Sequence, residues 1–259
     1  MSELELSAAV EAARAGGEVL LKYFRRLEPG QISEKTRNDL VSVADRESEA
    51  AIRAVLDARF PAYAFLGEET GASGDSAVRW VADPLDGTLN FVHGFPHWCV
   101  SIGLEDAEGG RAACILDPLR GDCFTAVRGG GAFLNGRPLR VSSQDGLNGA
   151  FLAVGFAFQM TPRLQRFMPV FETALQRAKG LRRAGSAALD LAHTAAGWFD
   201  GFFELGLKPW DIAAGTLLVQ EAGGILRDWD GSTDGWRRSG DLLAGPAPVV
   251  EGLAALART

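Results

Sequence analysis

Cysteine and histidine are scarce in this chain, three of each in 259 residues. Cys99, Cys114 and Cys123 are too few and too irregularly spaced for a disulfide framework or a thiolate zinc site. Each lies in or follows an apolar run, so buried, reduced thiols are expected. His93, His97 and His193 show no metal-ligand spacing, which leaves packing or surface roles for them. No apolar run approaches the ~20 residues of a membrane span. The opening Met1-Ser-Glu-Leu-Glu-Leu6 is acidic where a secretory leader is basic, so the cytoplasm is the expected compartment. The net charge of −7 argues against a broad nucleic-acid surface, and hence against direct nucleic-acid binding, while leaving room for a local basic cluster.

The composition that is present, 47% hydrophobic and 23% charged, is that of an ordinary globular protein with a large core. Residues 4–26 and 45–59 carry apolar positions at helical spacing, and Pro61 closes the second. Between them Gln31–Asp39 is polar and aperiodic and reads as a loop. From Ala62 to Val127 the pattern changes to short apolar runs, Tyr63–Leu66, Val78–Ala82, Trp98–Leu104, Ala112–Leu116 and Cys123–Val127, which read as strands. Arg128–Gly131 and Leu134–Gly136 supply turns, the first better read as a hairpin than as a phosphate cradle. In the second half, helices are expected over 163–178, Ala187–Ala196, Ile212–Ala222 and Ala247–Ala257. Leu181–Arg183, Phe199–Leu205, Ile225–Asp228 and Leu242–Ala244 read as extended. This is a layered α/β pattern. Residues 1–259 form one expected domain, with a soft division near 146–149.

Chemistry concentrates in Trp80-Val-Ala-Asp-Pro-Leu-Asp-Gly-Thr-Leu-Asn-Phe91. A β-type run ends in Asp83 and Asp86, with Pro84 between them, and Gly87-Thr88 then opens a helix. Asp-Pro-x-Asp-Gly is also an ordinary turn. The alternative is that hard oxygen ligands and free N–H groups meet there, which suits Mg²⁺ and a phosphate. Three other places offer carboxylates at element ends: Glu68-Glu69, Asp211 and the pair Asp39 and Asp45. Taken singly each is a solvated acid or a cap, and Asp211 reads as an N-cap. If they converge, a divalent cation is the simplest way to hold them together, because apposed carboxylates raise one another's pKa.

Gly67-Glu-Glu69, Trp80–Phe91 and Pro209-Trp-Asp-Ile-Ala-Ala-Gly215 resemble, in order and approximate spacing, the motifs of the inositol monophosphatase family. Further similarity runs through Asn38-Asp-Leu-Val-Ser42, Val100-Ser-Ile-Gly103, Gly131-Ala-Phe-Leu-Asn-Gly136, Gly185-Ser-Ala-Ala-Leu-Asp190 and Asp200-Gly-Phe-Phe-Glu204, and is strongest to bacterial members. The resemblance implies an αβαβα layered sandwich, a homodimer, two or three Mg²⁺ ions per active site and sensitivity to Li⁺. Glu68, Asp83, Asp86, Asp211 and the Leu85 carbonyl match the metal positions. Thr88 matches a hydroxyl that orients the attacking water, and Asp45 its acidic partner. Asp86, Gly87 and Thr88 lie where the phosphate binds. Gly185, Ser186, Ala187 and Glu204 line the alcohol pocket, with a polyol hydroxyl on Glu204. Lys35 and Asp39 match a mobile loop near the metals.

Lys208 stands where animal members carry His. It either draws an acidic group on the substrate or is a solvated lysine, and Arg182 and Arg183 share that ambiguity. The activity implied is Mg²⁺-dependent hydrolysis of a myo-inositol monophosphate by in-line attack of water, with no phosphoenzyme. Fructose 1,6-bisphosphate, histidinol phosphate and 3′-phosphoadenosine 5′-phosphate remain open as substrates, because the metal motifs read the phosphate and not the alcohol. Some bacterial relatives also act in transcription complexes, so a transcription-factor partner is a second implied role.

Overall fold

The computed structural model describes residues 2–36, 39–156 and 163–258, with the side chains of Ser2, Pro29, 34–36, Asp39 and Leu40 outside the described set. Helix α1 (Ser2–Tyr23) leads into strands β1 (Ile32–Thr36) and β2 (Asp39–Ser42), followed by α2 (Val43–Arg59). Then come β3 (Ala64–Gly67), β4 (Gly71–Ser73), β5 (Arg79–Asp86), the short α3 (Thr88–Val92) and five strands in succession. These are β6 (Cys99–Asp106), β7 (Gly109–Asp117), β8 (Asp122–Val127), β9 (Gly131–Leu134) and β10 (Arg137–Pro138). The second half runs β11 (Phe151–Val154), α4 (Leu164–Arg177), β12 (Gly180–Arg182), α5 (Ala187–Ala195), β13 (Gly201–Glu204) and α6 (Pro209–Glu221). It ends with β14 (Ile225–Asp228), α7 (Trp236–Ser239), β15 (Leu242–Gly245) and α8 (Ala247–Ala257).

Two sheets carry the architecture. The first has eight strands in the order β10-β9-β8-β7-β6-β5-β3-β4, antiparallel except where β3 runs parallel to β5. The second has five strands in the order β12-β11-β13-β15-β14. Helices α1 and α2 pack on each other and on one face of the first sheet, with Leu20, Ile52, Leu56, Trp80 and Trp98 in the core between them. Helices α5 and α6 fill the space between the sheets, where Leu189, Leu191, Leu217 and Leu218 meet Phe124 and Phe202. Helices α4 and α8 cover the outer face of the second sheet over Phe167, Phe203 and Trp229. The result is an αβαβα sandwich, because each two-faced sheet needs an apolar layer on both sides.

Two sequence expectations are corrected. Gln31–Asp39 does not run as a loop: Ile32, Ser33 and Glu34 pair with Ser42, Val41 and Leu40 in a separate antiparallel ribbon. Strand periodicity appears in sequence when one face is buried, and Ile32 and Ser33 both keep contact with solvent. The second correction lengthens β5. It does not stop at Ala82 but continues through Asp83-Pro-Leu-Asp86. No described helix is long and apolar enough to cross a membrane.

Candidate active site

The register of β5 against β6 explains why this motif is a strand and not a turn. Asp83 faces Ser101 and Asp86 faces Cys99, so three steps on β5 meet two on β6, a β-bulge. Pro84 has no N–H to give the ladder, and a bulge is where a strand tolerates that. The bulge reorients the carboxylates. Asp83 Oδ1 accepts the Leu85 N–H at 2.9 Å. Asp86 Oδ2 takes the Ser186 hydroxyl and the Ala188 N–H, both at 2.6 Å, from the start of α5. The helix N-terminus favours that negative charge. Ser186 is the N-cap of α5, and its Oγ also accepts the Leu189 N–H. Asp86, on the first sheet, is therefore held by the layer between the sheets.

Gly87 follows with φ of +97°, where a Cβ would press within 3.0 Å of the His97 carbonyl, so glycine is required there. Thr88 begins α3. Its Oγ1 lies 3.0 Å from Asp45 Oδ1 and 3.0 Å from the Leu85 carbonyl oxygen. Asp45 sits in the first turn of α2, and its Oδ2 accepts the N–H (2.9 Å) and hydroxyl (2.6 Å) of Ser42. Asn90 Nδ2 donates to the carbonyls of His97 (2.7 Å) and Ala184 (2.9 Å), tying α3 to the turn that carries Gly185.

Asp211 is not an N-cap. Lys208 holds that place, Pro209 begins α6, and the Asp211 carboxylate reaches back to accept the Lys208 N–H at 2.6 Å. It thus sits in the first turn of the helix, near enough to Asp83 for its charge to be felt there. Burial raises the pKa of Asp83 well above the usual carboxylate range, and the charges of Glu68, Asp86 and Asp211 raise it further. Asp211 is raised by burial and then chiefly by Asp86. Asp86 is raised by burial, with Ser186 and the α5 amides pulling the other way. Asp45 is raised by burial against its Ser42 and Thr88 bonds. Among the described residues, no three His, Cys, Asp or Glu side chains are already drawn into a metal-holding arrangement. Glu68, Asp83, Asp86 and Asp211 nonetheless stand close enough to repel one another. That repulsion, and the all-oxygen donor set, fit a hard divalent cation.

A cavity of about 160 Å³ opens beside these acids, lined by Asp86, Gly185, Ser186, Ala187, Glu204 and Asp211 together with Gly155, Arg183, Asp190 and Leu207. Glu204, at the end of β13, opens onto the cavity and not onto bulk water, which is why a partly exposed carboxyl is strongly desolvated. Burial, then Asp211 and Asp86, push its pKa up to about 8. A Cβ at Gly155 would collide with the Glu204 carboxylate, so the glycine makes room for the acid.

Lys208 is exposed and does not line the cavity. Arg183 does, with its guanidinium 4.7 Å from the centre of the Phe156 ring, while Arg182 is exposed and lies over Phe151. Lys35 and Asp39 lie on β1 and β2, and their side chains are outside the described residues. Two acids that sequence reading passed over belong here. Asp190 is 1% exposed, its Oδ1 has no hydrogen-bond partner among the described residues, and burial followed by Glu204 raises its pKa well above normal. Glu49 anchors the loop after β3. The Cys99 thiol beside Asp86 is an unreactive neighbour: burial and then Asp86 push its pKa up, so it stays protonated.

The model of the family described as "Inositol monophosphatase family" matches residues 2–258. A Pseudomonas aeruginosa protein named Nus factor SuhB is 45% identical over 254 residues, covering 96% of this chain and 93% of the relative. The Escherichia coli protein of the same name is 41% identical over 252 residues, covering 96% and 94%. Among solved structures, the extragenic suppressor protein suhB of Bartonella henselae superposes with a TM-score of 0.93 at 38% identity, covering 98% of both chains. The inositol monophosphatase of Anabaena sp. PCC 7120 superposes with a TM-score of 0.87 at 36% identity, covering 98% of this chain and 95% of that one. With a match over nearly its whole length and a bulge that gathers the acids, the chain belongs to the inositol monophosphatase family, a family of metal-dependent phosphatases.

Proposed function

We propose that the chain is a Mg²⁺-dependent phosphomonoesterase that converts myo-inositol monophosphate to inositol and phosphate, and that it works in the cytoplasm as a homodimer inhibited by Li⁺. One observation carries this reading: the carboxylates of Glu68, Asp83, Asp86 and Asp211 are near enough to raise one another's pKa, and two of them, Asp86 and Asp211, line a cavity that Glu204 lines as well. The first group suits cations and phosphate, and the second suits a hydroxyl. Residues 1–259 then act as one domain, divided near 146–149 between a metal-holding and an alcohol-binding half.

In this reading Glu68, Asp83, Asp86, Asp211 and the Leu85 carbonyl hold two or three Mg²⁺. Bound there, such ions would neutralise charge on the phosphate dianion and would make a water more acidic. Thr88 donates its single hydroxyl proton to Asp45, which leaves its lone pairs to accept a hydrogen bond from the attacking water. The N–H groups of Gly87 and Thr88 orient the phosphate. Glu204, which lines the cavity beside Gly185, Ser186 and Ala187, offers its carboxyl to a ring hydroxyl. Asp190 adds a second polar group to that wall.

Phosphate release with and without Mg²⁺ tests the reading on inositol 1-phosphate, fructose 1,6-bisphosphate, histidinol phosphate and 3′-phosphoadenosine 5′-phosphate. Turnover strongest on the inositol ester is expected. Preference for another ester keeps the metal chemistry and overturns the substrate. No turnover on any ester by folded protein in Mg²⁺ sinks the enzymatic reading. Single-turnover hydrolysis in ¹⁸O-water is expected to label the released phosphate directly.

The names of the bacterial relatives support a second role, binding a protein of the transcription machinery. Asp86→Asn separates the two, since a docking role survives it and catalysis does not.

A further inference from the structure

Helix α2 aims three polar side chains at three different pieces of the site. Positions 45, 48 and 49 share one helical face. Asp45 meets Thr88, and the Ser48 hydroxyl donates to the Pro84 carbonyl in the bulge at 3.0 Å. Glu49 is 1% exposed and accepts the Glu69 N–H at Oε2 and the Thr70 N–H at Oε1, each at 2.8 Å. A buried carboxylate is costly unless its oxygens are satisfied. Here two adjacent backbone amides do so, one per oxygen, across 20 residues of sequence.

Those two amides follow Glu68 directly. The Glu68 N–H itself donates to the Ala82 carbonyl at 3.2 Å, on β5 beside Asp83. The backbone at Glu68 is therefore pinned upstream to the strand that carries Asp83 and downstream to α2. Gly67 completes the arrangement: a Cβ there would collide with the Glu49 carboxylate, so the glycine lets that carboxylate reach the loop.

We propose that Glu49 is a positioning residue that sets the Glu68 carboxylate against Asp83 for joint hold on a divalent cation. This rests on the reading above only in that a cation is what the two acids hold. The proposal assigns Glu49 no contact with substrate or cation. It acts by fixing the chain, as partners behind a ligand commonly do.

The test measures Mg²⁺ binding to the full chain by calorimetry, and separately the Mg²⁺ dependence of phosphate release, for the wild type, E49Q, E49D and E47Q. Glutamine matches the shape of Glu49 but turns an NH₂ group towards one of the two N–H donors. E49Q is expected to raise the Mg²⁺ dissociation constant roughly 10–100-fold. The activation constant for Mg²⁺ should shift in step, with kcat at saturating Mg²⁺ largely recovered. E49D keeps the charge one methylene further away and should fall between. E47Q removes an exposed charge from the same helix and should leave the affinity unchanged, which separates positioning from bulk electrostatics.

Unchanged Mg²⁺ affinity in a folded E49Q, whatever its melting temperature, overturns the proposal. If E49Q does not fold, unchanged affinity in E49D overturns it instead. Wild-type protein that binds Mg²⁺ but releases no phosphate removes the proposed function and leaves this inference to be decided by the binding data. Wild-type protein that binds no Mg²⁺ removes both.

Discussion

The carboxylate cleft and the aromatic cluster around His97 and His193 both bury titratable groups, and they resolve the cost in opposite ways. His193 lies 4.8 Å from the Trp198 ring, 5.8 Å from Phe124 and 5.9 Å from His97, centre to centre. Burial, with help from Arg120, lowers the pKa of His97 to about 4, and burial with His97 and Arg120 lowers that of His193 to about 3. The imidazoles simply go neutral and pack as rings. The acids of the cleft also resist ionisation, but they repel one another and have no apolar packing role to fall back on. One cluster sheds its charge by giving up protons, and the other holds acids that positive charge would complete.

The largest break in this contrast is Asp83→Asn. Asn keeps an oxygen for the Leu85 N–H and removes one of the repelling charges. Phosphate release is expected to fall by about 10²-fold or more, the scale for removing a key charge-stabilising group. The melting temperature in EDTA is expected to rise, because a strained buried charge has gone. Loss of activity together with loss of stability in EDTA would show that the acids are not a reservoir of repulsion.

The next test is pH without divalent metal. Glu204 has a folded pKa of about 8 against an ordinary value of 4.5. Between those values the folded state binds more protons than the unfolded chain, so stability falls as pH rises through that window. The melting temperature in EDTA should therefore drop from about pH 5 to about pH 8, with Mg²⁺ restoring it at the alkaline end. Glu204→Gln should flatten the EDTA slope. A slope unchanged by that substitution would place the effect elsewhere in the cleft.

Legibility followed sequence distance. Asp83, Leu85, Asp86, Gly87 and Thr88 sit within six residues, so their motif could be read directly, and so could the helices with a single apolar face. The strand β11 could not, since 150–156 is apolar at nearly every position and β11 is largely buried, which leaves no period to read. Asp190 and Gly155 escaped because their meaning lies in Glu204, and the two amides on Glu49 are equally remote from it in sequence. The bulge escaped because Asp-Pro-x-Asp-Gly is shaped like a turn, and only pairing with β6 shows it to be strand.

A further test breaks the other side of the contrast. His193→Phe replaces a neutral ring with an apolar one among Phe124, Trp198 and Phe199. A His with a depressed folded pKa contributes stability that is present above about pH 6.5 and is lost as pH falls through the window down to its folded value. At pH 5 that loss is about 2 kcal/mol for His193, from the ordinary pKa of ~6.5. The variant should lose less stability between pH 7 and pH 5 than the wild type does, with phosphate release at pH 7 unchanged. Equal acid sensitivity in both proteins would mean that His193 is protonated in the fold.

The smallest effect is expected at a thiol pair, one member buried and the other partly so, which belongs to neither pattern. Cys114 and Cys123 sit on neighbouring strands with their sulfurs 3.8 Å apart. Their contact and burial push the Cys114 thiol well up, while the same contact draws Cys123 below its ordinary value. A thiol pair needs neither a cation nor a ring stack, because S–H is a weak donor and loses little on burial. Cys123→Ser should therefore change stability by less than about 1 kcal/mol, and it should leave both the EDTA slope and the acid slope where they are. A shift in either slope would tie the thiols electrically to one of the two clusters. Unchanged slopes would leave this thiol pair out of the pH response of both clusters.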